Sequence, residues 1–160
     1  MKKNGGKYIA AAAVIAALYA ALTLILSPIS YNVMQVRLSE GLTVLALYTP
    51  AAVPGLFVGC FFANILGPGG LTDAIFGSLA TLLGCLGVRA LRRKPWIALA
   101  AVAVSNALIV GLELRYVFAL EMDPFICIGW VALGEVISVY LPAIPMKKLL
   151  DKNAKNLFKL

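Results

Sequence analysis

The sequence contains no histidine, only three cysteines, and charged residues at 13% of its 160 positions. Each shortage excludes something. Without histidine, Ser–His and Cys–His nucleophilic chemistry and histidine–metal sites are ruled out. Cys60, Cys85 and Cys127 lie far apart inside apolar runs, a spacing that fits neither a disulfide framework nor a zinc site. The motif G-x-x-x-x-G-K-[ST] is absent, so the chain cannot use ATP through a P-loop of its own. The GPGG at 67–70 is a turn rather than a phosphate cradle. No internal repeat is evident, which gives no support to an inverted-repeat secondary transporter. Soluble domains carry about 25% charged residues, and this chain falls well short of that.

What remains is hydrophobic: 62% of the residues, with a mean hydropathy of +0.94. A chain of this length has room for at most about six spans of roughly 20 residues. The first apolar run, YIAAAAVIAALYAALTLIL, follows MKKNGGK and invites comparison with a signal peptide. It is longer than the signal-peptide core of about 7–15 residues and is not followed by a small-residue cleavage site, so it is expected to stay as a membrane helix.

The net charge of +7 does not point to nucleic acid, because no basic face is interleaved with aromatics for stacking. Twelve of the fourteen basic residues fall in three clusters between apolar runs. These are Lys2, Lys3 and Lys7; Arg89, Arg92, Arg93 and Lys94; and Lys147, Lys148, Lys152, Lys155 and Lys159. Short basic segments of this kind stay cytoplasmic. If all three clusters do so, one crossing precedes Ser27, parity requires an odd number more before Arg89, which about 50 mostly apolar residues make three, and two follow Pro95. The expectation is a single all-α membrane domain over 1–160. It is a bundle of six helices at about 8–27, 39–49, 54–67, 71–91, 96–117 and 125–146, with both termini cytoplasmic and 147–160 as a basic tail. The second segment is short, spanning roughly 17 Å against a hydrocarbon core of about 30 Å. Such a segment must have its ends covered by protein or line a cavity.

That short segment begins in QVRLSEG at 35–41, which sets Gln35, Arg37 and Glu40 between apolar runs. A charge at the bilayer centre costs about 2.5–3.5 kcal/mol on insertion scales, so each needs a reason. On the six-helix topology Arg37, Glu40, Asn64, Asp73, Asn106, Glu113 and Arg115 all fall in the outer half. Glu135 lies beneath them, roughly 16 Å along the last helix. Internal pairing is the structural alternative, with Arg37 and Arg115 neutralising two carboxylates and the asparagines bridging helices. It leaves a surplus, because Glu40, Asp73, Glu113 and Glu135 face only those two arginines. Surplus carboxylates suit a ligand rich in N–H donors, or a cation. The segment from Ser27 to Leu38 is placed to act as a lid. Tyr31, Tyr48, Phe76 and Trp130 are candidate aromatic neighbours for a planar ligand.

The first helix carries two adjacent rows of alanine, Ala12, Ala16, Ala20 and Ala13, Ala17, Ala21. Small residues at i+4 let membrane helices approach closely. One row could serve packing within the protein. Two make a broader smooth face than one neighbouring helix needs.

A six-helix chain of this size with an alanine-striped first helix resembles the substrate-binding S subunits of energy-coupling-factor (ECF) importers. The run YNVMQVRLSEGLTVLALYTPAAVPGLFVGCFFANIL, then LTDAIFGSLATLLG, then VALGEVI, is similar to the QueT family of queuosine-precursor transporters. QVRLSEGLTVL and DAIFGSLATLLG are the most specific parts. The resemblance implies capture of a 7-deazaguanine: the cyano precursor preQ0, the aminomethyl precursor preQ1, or queuine. It also implies a transmembrane coupling subunit and two cytoplasmic ATPases, with no enzymatic activity and no cofactor or metal in this chain. Ala13, Ala17 and Ala21 would then meet the coupling subunit. The ligand pocket would be built from Gln35, Arg37, Glu40, Asn64, Asp73, Asn106, Glu113, Trp130 and Glu135. A carboxylate suits the N1–H and exocyclic amine of a guanine-like edge, while Arg, Asn or Gln suits its O6. Two alternatives stay open: an S subunit of the same fold for a different vitamin, and a small proton-coupled exporter using Glu135.

Overall fold

A computed structural model describes residues 5–157, with side chains described as far as Asn153. Lys2, Lys3 and Lys159 lie outside the described residues, as does the side chain of Lys155. The helices are α1 (Gly5–Ile25), a single turn α2 (Ser27–Ser30), α3 (Ala52–Ile65), α4 (Gly70–Ala90), α5 (Pro95–Tyr116) and α6 (Pro124–Leu157). Between α2 and α3 runs a 3-10 helix, Leu38–Leu47, and the described residues contain no strand. Helices α1, α4, α5 and the 124–153 part of α6 are each long and apolar enough to cross a membrane. The fold is an all-helical polytopic membrane bundle.

Local chemistry sets the boundaries. Pro95 and Pro124 each open a helix, where a missing N–H has no intrahelical partner to lose. Gly70 enters α4 at φ +59°, a left-handed conformation that glycine adopts without steric cost. The long helices are apolar on their outer faces as well as their inner ones. Ile9, Val14, Leu18 and Ile25 of α1 and Leu79, Leu83 and Leu86 of α4 are all exposed. Outward apolar faces of this extent belong in lipid.

Neighbours in sequence are neighbours in space: α1 packs on α3, α3 on α4, α4 on α5 and α5 on α6. The 3-10 helix closes the arrangement. It lies chiefly against α6 and also touches α1, α3, α4 and α5. Every residue from Ser39 to Ala46 is buried. The segment expected as a short second α-helix beside a hollow is therefore a plug through the middle of the bundle. A 3-10 helix rises about 2.0 Å per residue, so ten residues reach roughly 20 Å, farther than the same number in an α-helix. The plug lies close to α6 because residue 41 is glycine: a Cβ there would fall 2.5 Å from Cβ of Pro142.

The last helix also departs from expectation. It continues past Met146 to Leu157, so most of the predicted basic tail is helical. Its final turns are held by a Lys147–Asp151 ion pair at 2.6 Å and a hydrogen bond from Tyr48 to Asp151 at 2.5 Å. Tyr48 consequently sits at the basic end of the bundle with Arg89, which donates to the Ala46 carbonyl at 3.1 Å.

The two alanine rows of α1 have separate fates. A Cβ on Gly55 would lie 2.7 Å from the carbonyl oxygen of Ala12, and one on Gly59 2.7 Å from that of Ala16. The row Ala12, Ala16, Ala20 thus backs onto α3, with glycine permitting near-contact of the two backbones. Ala13, Ala17 and Ala21 are exposed. Gly59→Leu is expected to separate α1 from α3 and, at about 1–3 kcal/mol of overpacking, to lower the detergent-solubilised melting temperature by about 5 °C. Gly129→Leu, at a position with nothing within 4 Å of an added Cβ, should leave the melting temperature within about 1 °C of the parent. Equal shifts for the two variants would remove the role assigned to Gly59.

Candidate functional site

At the end of the bundle away from the basic clusters, the chain brings its isolated polar residues together. After α2, the link to the plug turns at Gln35, whose φ is +51° and whose N–H donates to Asn32 Oδ1 at 2.9 Å. This turn delivers Arg37 inward, where it is 2% exposed. Its Nε donates to the Ser30 carbonyl at 3.1 Å, and Nη2 meets Asp73 Oδ2 at 3.3 Å. The guanidinium lies 5.2 Å from the centre of the Tyr31 ring, within cation–π range.

Asp73, Gly77 and Thr81 follow one another at i+4 on α4 and so share a face. Gly77 leaves room for the Asn64 amide, which would clash with any Cβ there. Asn64 donates to the Asp73 backbone carbonyl at 2.9 Å and to Cys60 Sγ at 3.4 Å. Thr81 donates to Glu40 Oε1 at 3.2 Å, and Tyr19 of α1 donates to the same oxygen. Thr23, one turn beyond Tyr19, shares a 2.6 Å hydrogen bond with Ser39. Glu135 of α6 lies near the Asn106 amide of α5, which donates to the Val102 carbonyl at 3.3 Å. Glu113, also on α5, is 2% exposed.

The cluster is incompletely satisfied. Its buried side-chain atoms without a hydrogen-bond partner are Glu40 Oε2, Asn64 Oδ1, Asp73 Oδ1, both Glu113 oxygens and Glu135 Oε2. All six are acceptors. An orphaned buried polar atom costs about 1–3 kcal/mol, more if charged, so the arrangement is short of donors rather than of polarity. The single ion pair uses Arg37 and Asp73, which leaves Glu40, Glu113 and Glu135 with no cation among the described residues. Arg115 does not neutralise any of them: from the last turn of α5 it donates to the Leu120 carbonyl of the following loop at 3.0 Å.

A cavity of about 220 Å³ opens above the pair, walled by Tyr31, Gln35, Asp73, Leu114 and Phe118. A second, of about 310 Å³, lies between α4 and α5 beside Phe76, Glu113 and Tyr116. Among the described residues, no three His, Cys, Asp or Glu side chains converge to hold a metal ion.

Most of the residues singled out in the sequence thus meet in one region: Gln35, Arg37, Glu40, Asn64, Asp73, Asn106, Glu113 and Glu135. Trp130 is 41% exposed and belongs to neither cavity wall, and Tyr48 is at the opposite end. Three participants were missed. Tyr19 was hidden by the alanine rows around it, although a hydroxyl on that face was a signal. Thr81 was legible from its i+8 relation to Asp73. Cys60, which accepts from both Asn64 and Thr81, carried no sequence signal beyond its place one turn before Asn64.

The model of the QueT transporter family matches residues 9–152, a span that holds every residue of this cluster. The chain belongs to the QueT transporter family. It is 33% identical over 170 residues to the queuosine precursor transporter QueT of Lactococcus lactis subsp. cremoris (strain MG1363). That alignment covers 93% of this chain and 95% of the relative. No solved structure matches the chain. Membership in QueT, together with helices of membrane-spanning length, makes the chain a multi-pass integral membrane transporter.

Proposed function

We propose that the chain is the ligand-capturing S subunit of an ATP-driven importer of energy-coupling-factor type, and that its ligand is a 7-deazaguanine queuosine precursor. The observation that carries this reading is the row of six buried acceptors without donors. A guanine-like edge offers N1–H and an exocyclic amine side by side, and the pyrrole ring adds another N–H. Those groups supply what the cluster lacks. The name of the Lactococcus relative supports the same ligand class.

In this reading the membrane topology is six segments with both termini cytoplasmic, so the polar cluster faces outward. Gln35 and Tyr31 line the mouth from the 27–38 segment, which acts as the lid. Arg37 and Asp73 form the wall, with Asn64 and Glu40 behind them. Asn106 and Glu135 read the O6 and N1–H edge, since an amide donor beside a carboxylate acceptor matches that pair. Trp130 has the weakest support of the residues considered. A transmembrane coupling subunit would dock on the exposed row Ala13, Ala17, Ala21, and two cytoplasmic ATPases would supply the energy.

The test is calorimetric titration with preQ0, preQ1 and queuine. At least one should bind the wild-type protein, and Glu135→Gln should weaken that binding by about tenfold to a hundredfold, the cost of losing a hydrogen bond to a charged group. The variant must remain monodisperse with an unchanged helical spectrum. Wild-type affinity in Glu135→Gln would remove this residue from the site. Uptake by reconstituted protein without the ATPases would favour the exporter instead.

A further inference from the structure

Helices α5 and α6 part on the lipid-facing surface, and a groove of about 360 Å³ runs between them. It reaches from Leu108 to Ala100 on α5 and from Ile128 to Tyr140 on α6. The rise from Ile128 to Tyr140 is roughly 18 Å, a little more than one leaflet of a hydrocarbon core about 30 Å thick. Alanines at 100, 103, 107 and 132 supply the hollow, and Val104 and Val136 beside it are exposed. Its volume falls among those of ligand pockets, about 300–1,000 Å³, and sets it apart from the ordinary roughness of a helix pair.

The groove has one polar end. Tyr140 alone among its lining side chains carries a polar atom, and that hydroxyl donates to the Trp96 carbonyl at 2.8 Å. The two rings stack with centroids 6.3 Å apart. Trp and Tyr side by side mark the level where hydrocarbon gives way to headgroups. Arg92, Arg93 and Lys94 stand just before Trp96, all exposed. The positive-inside rule accounts for the side of the membrane they occupy but not for their counterion. Of the chain's acids, Glu40, Asp73, Glu113 and Glu135 lie in the polar cluster, and Glu121 and Asp123 lie in the loop beyond α5 at the far end. Asp151 is at the basic end, and its carboxylate is taken by Lys147 and Tyr48. Arg92, Arg93 and Lys94 therefore have no Asp or Glu partner among the described residues.

An apolar slot that ends in an aromatic pair and an unpaired basic cluster is complementary to an amphiphile with an anionic head. We infer that the α5–α6 groove is a binding site for an anionic phospholipid: one acyl chain lies between Val104 and Val136, and Arg92, Arg93 and Lys94 hold the phosphate. The site is separate from the polar cluster and does not rest on the ligand class proposed above. Each basic residue at a membrane surface adds to the attraction for anionic lipid, and here the groove fixes where that lipid stands. A zwitterionic lipid fills the slot equally well but brings no net charge to the cluster. A soluble phosphate brings the charge but nothing for the slot.

Purified full-length protein in detergent would be titrated with phosphatidylglycerol and with phosphatidylcholine of the same chains, and bound lipid counted by native mass spectrometry. Wild type should hold phosphatidylglycerol on the order of tenfold to a hundredfold more tightly, from basic contacts of about fivefold each. Changing Arg92, Arg93 and Lys94 together to Gln should bring the two lipids to within about twofold of each other. Ala132→Phe fills the slot and should weaken both lipids several-fold while leaving their ratio unchanged. Ala100→Leu narrows the slot from α5 and makes the same test should Ala132→Phe not fold. Glycerol phosphate should not displace the bound lipid. Equal affinity for the two lipids in wild type, or a preference that survives the triple replacement, overturns the site. Undiminished lipid binding in the groove variants also overturns it, and leaves the groove to a partner helix or a second copy of the chain. Displacement by glycerol phosphate would reduce the site to a phosphate contact and equally count against it.

Discussion

Replacing Ala17 with Trp is expected to abolish co-purification of the coupling and ATPase subunits while leaving ligand affinity within about twofold of wild type. Ala13, Ala17 and Ala21 are exposed, so the bulk added by Trp has no place in the bundle to disturb. Tyr19, which reaches Glu40, is two residues on, about 200° around the helix, and faces the other way. A partner helix that approaches a smooth alanine row depends on near-contact of backbones, and an indole holds it several ångströms off. The measurement is pull-down from membranes containing all the subunits, followed by calorimetry on the isolated variant. Loss of affinity with an intact complex would mean that this row serves packing around the ligand site rather than docking.

The second large effect is at Arg37. Arg37→Ala should cost about 3–5 kcal/mol and yield little folded protein, because it strands the Asp73 carboxylate in a site where that residue is 3% exposed. Asp73→Asn should be milder, since the guanidinium keeps the Ser30 carbonyl and the Tyr31 ring. The double variant Arg37→Met, Asp73→Asn carries no stranded charge and should recover most of the lost stability. It should nevertheless fail to bind a 7-deazaguanine, having lost the wall of the mouth. Thermal denaturation of the parent, Arg37→Met, Asp73→Asn and the double variant in one detergent closes the cycle that gives the coupling energy. A single Arg37→Ala variant as stable as the parent would show that water reaches the pair freely.

Much of this was readable from the residues. Apolar runs interrupted by GPGG and RRKP mark the helix limits to within a few residues, because no lipid-exposed backbone can remain unpaired. The polar residues on one face of α4 and α5 were legible from i+4 and i+7 spacing. Spacing along a helix does not say which neighbour that face meets, and this is why the internal-pairing alternative could give Arg115 a carboxylate, whereas it donates to the Leu120 carbonyl. The 3-10 conformation of Leu38–Leu47 was not legible either. Its composition suits an α-helix equally well, and the choice is made by the surrounding helices, which present Tyr19 and Thr81 to Glu40 and Pro142 to Gly41. Trp130 and Tyr48 lie off the cluster's cavity walls, and an aromatic near a membrane interface is as much at home facing lipid or headgroups as a ligand.

The plug has a consequence for the cell that carries the protein. A bundle whose interior is filled by its own backbone, with Ser39 through Ala46 buried, is expected to offer ions and water no bore among the described residues. However many copies stand waiting in the membrane without cargo, they do not short-circuit it. Abundance can therefore be raised to scavenge a scarce solute without a proportional drain on the membrane potential.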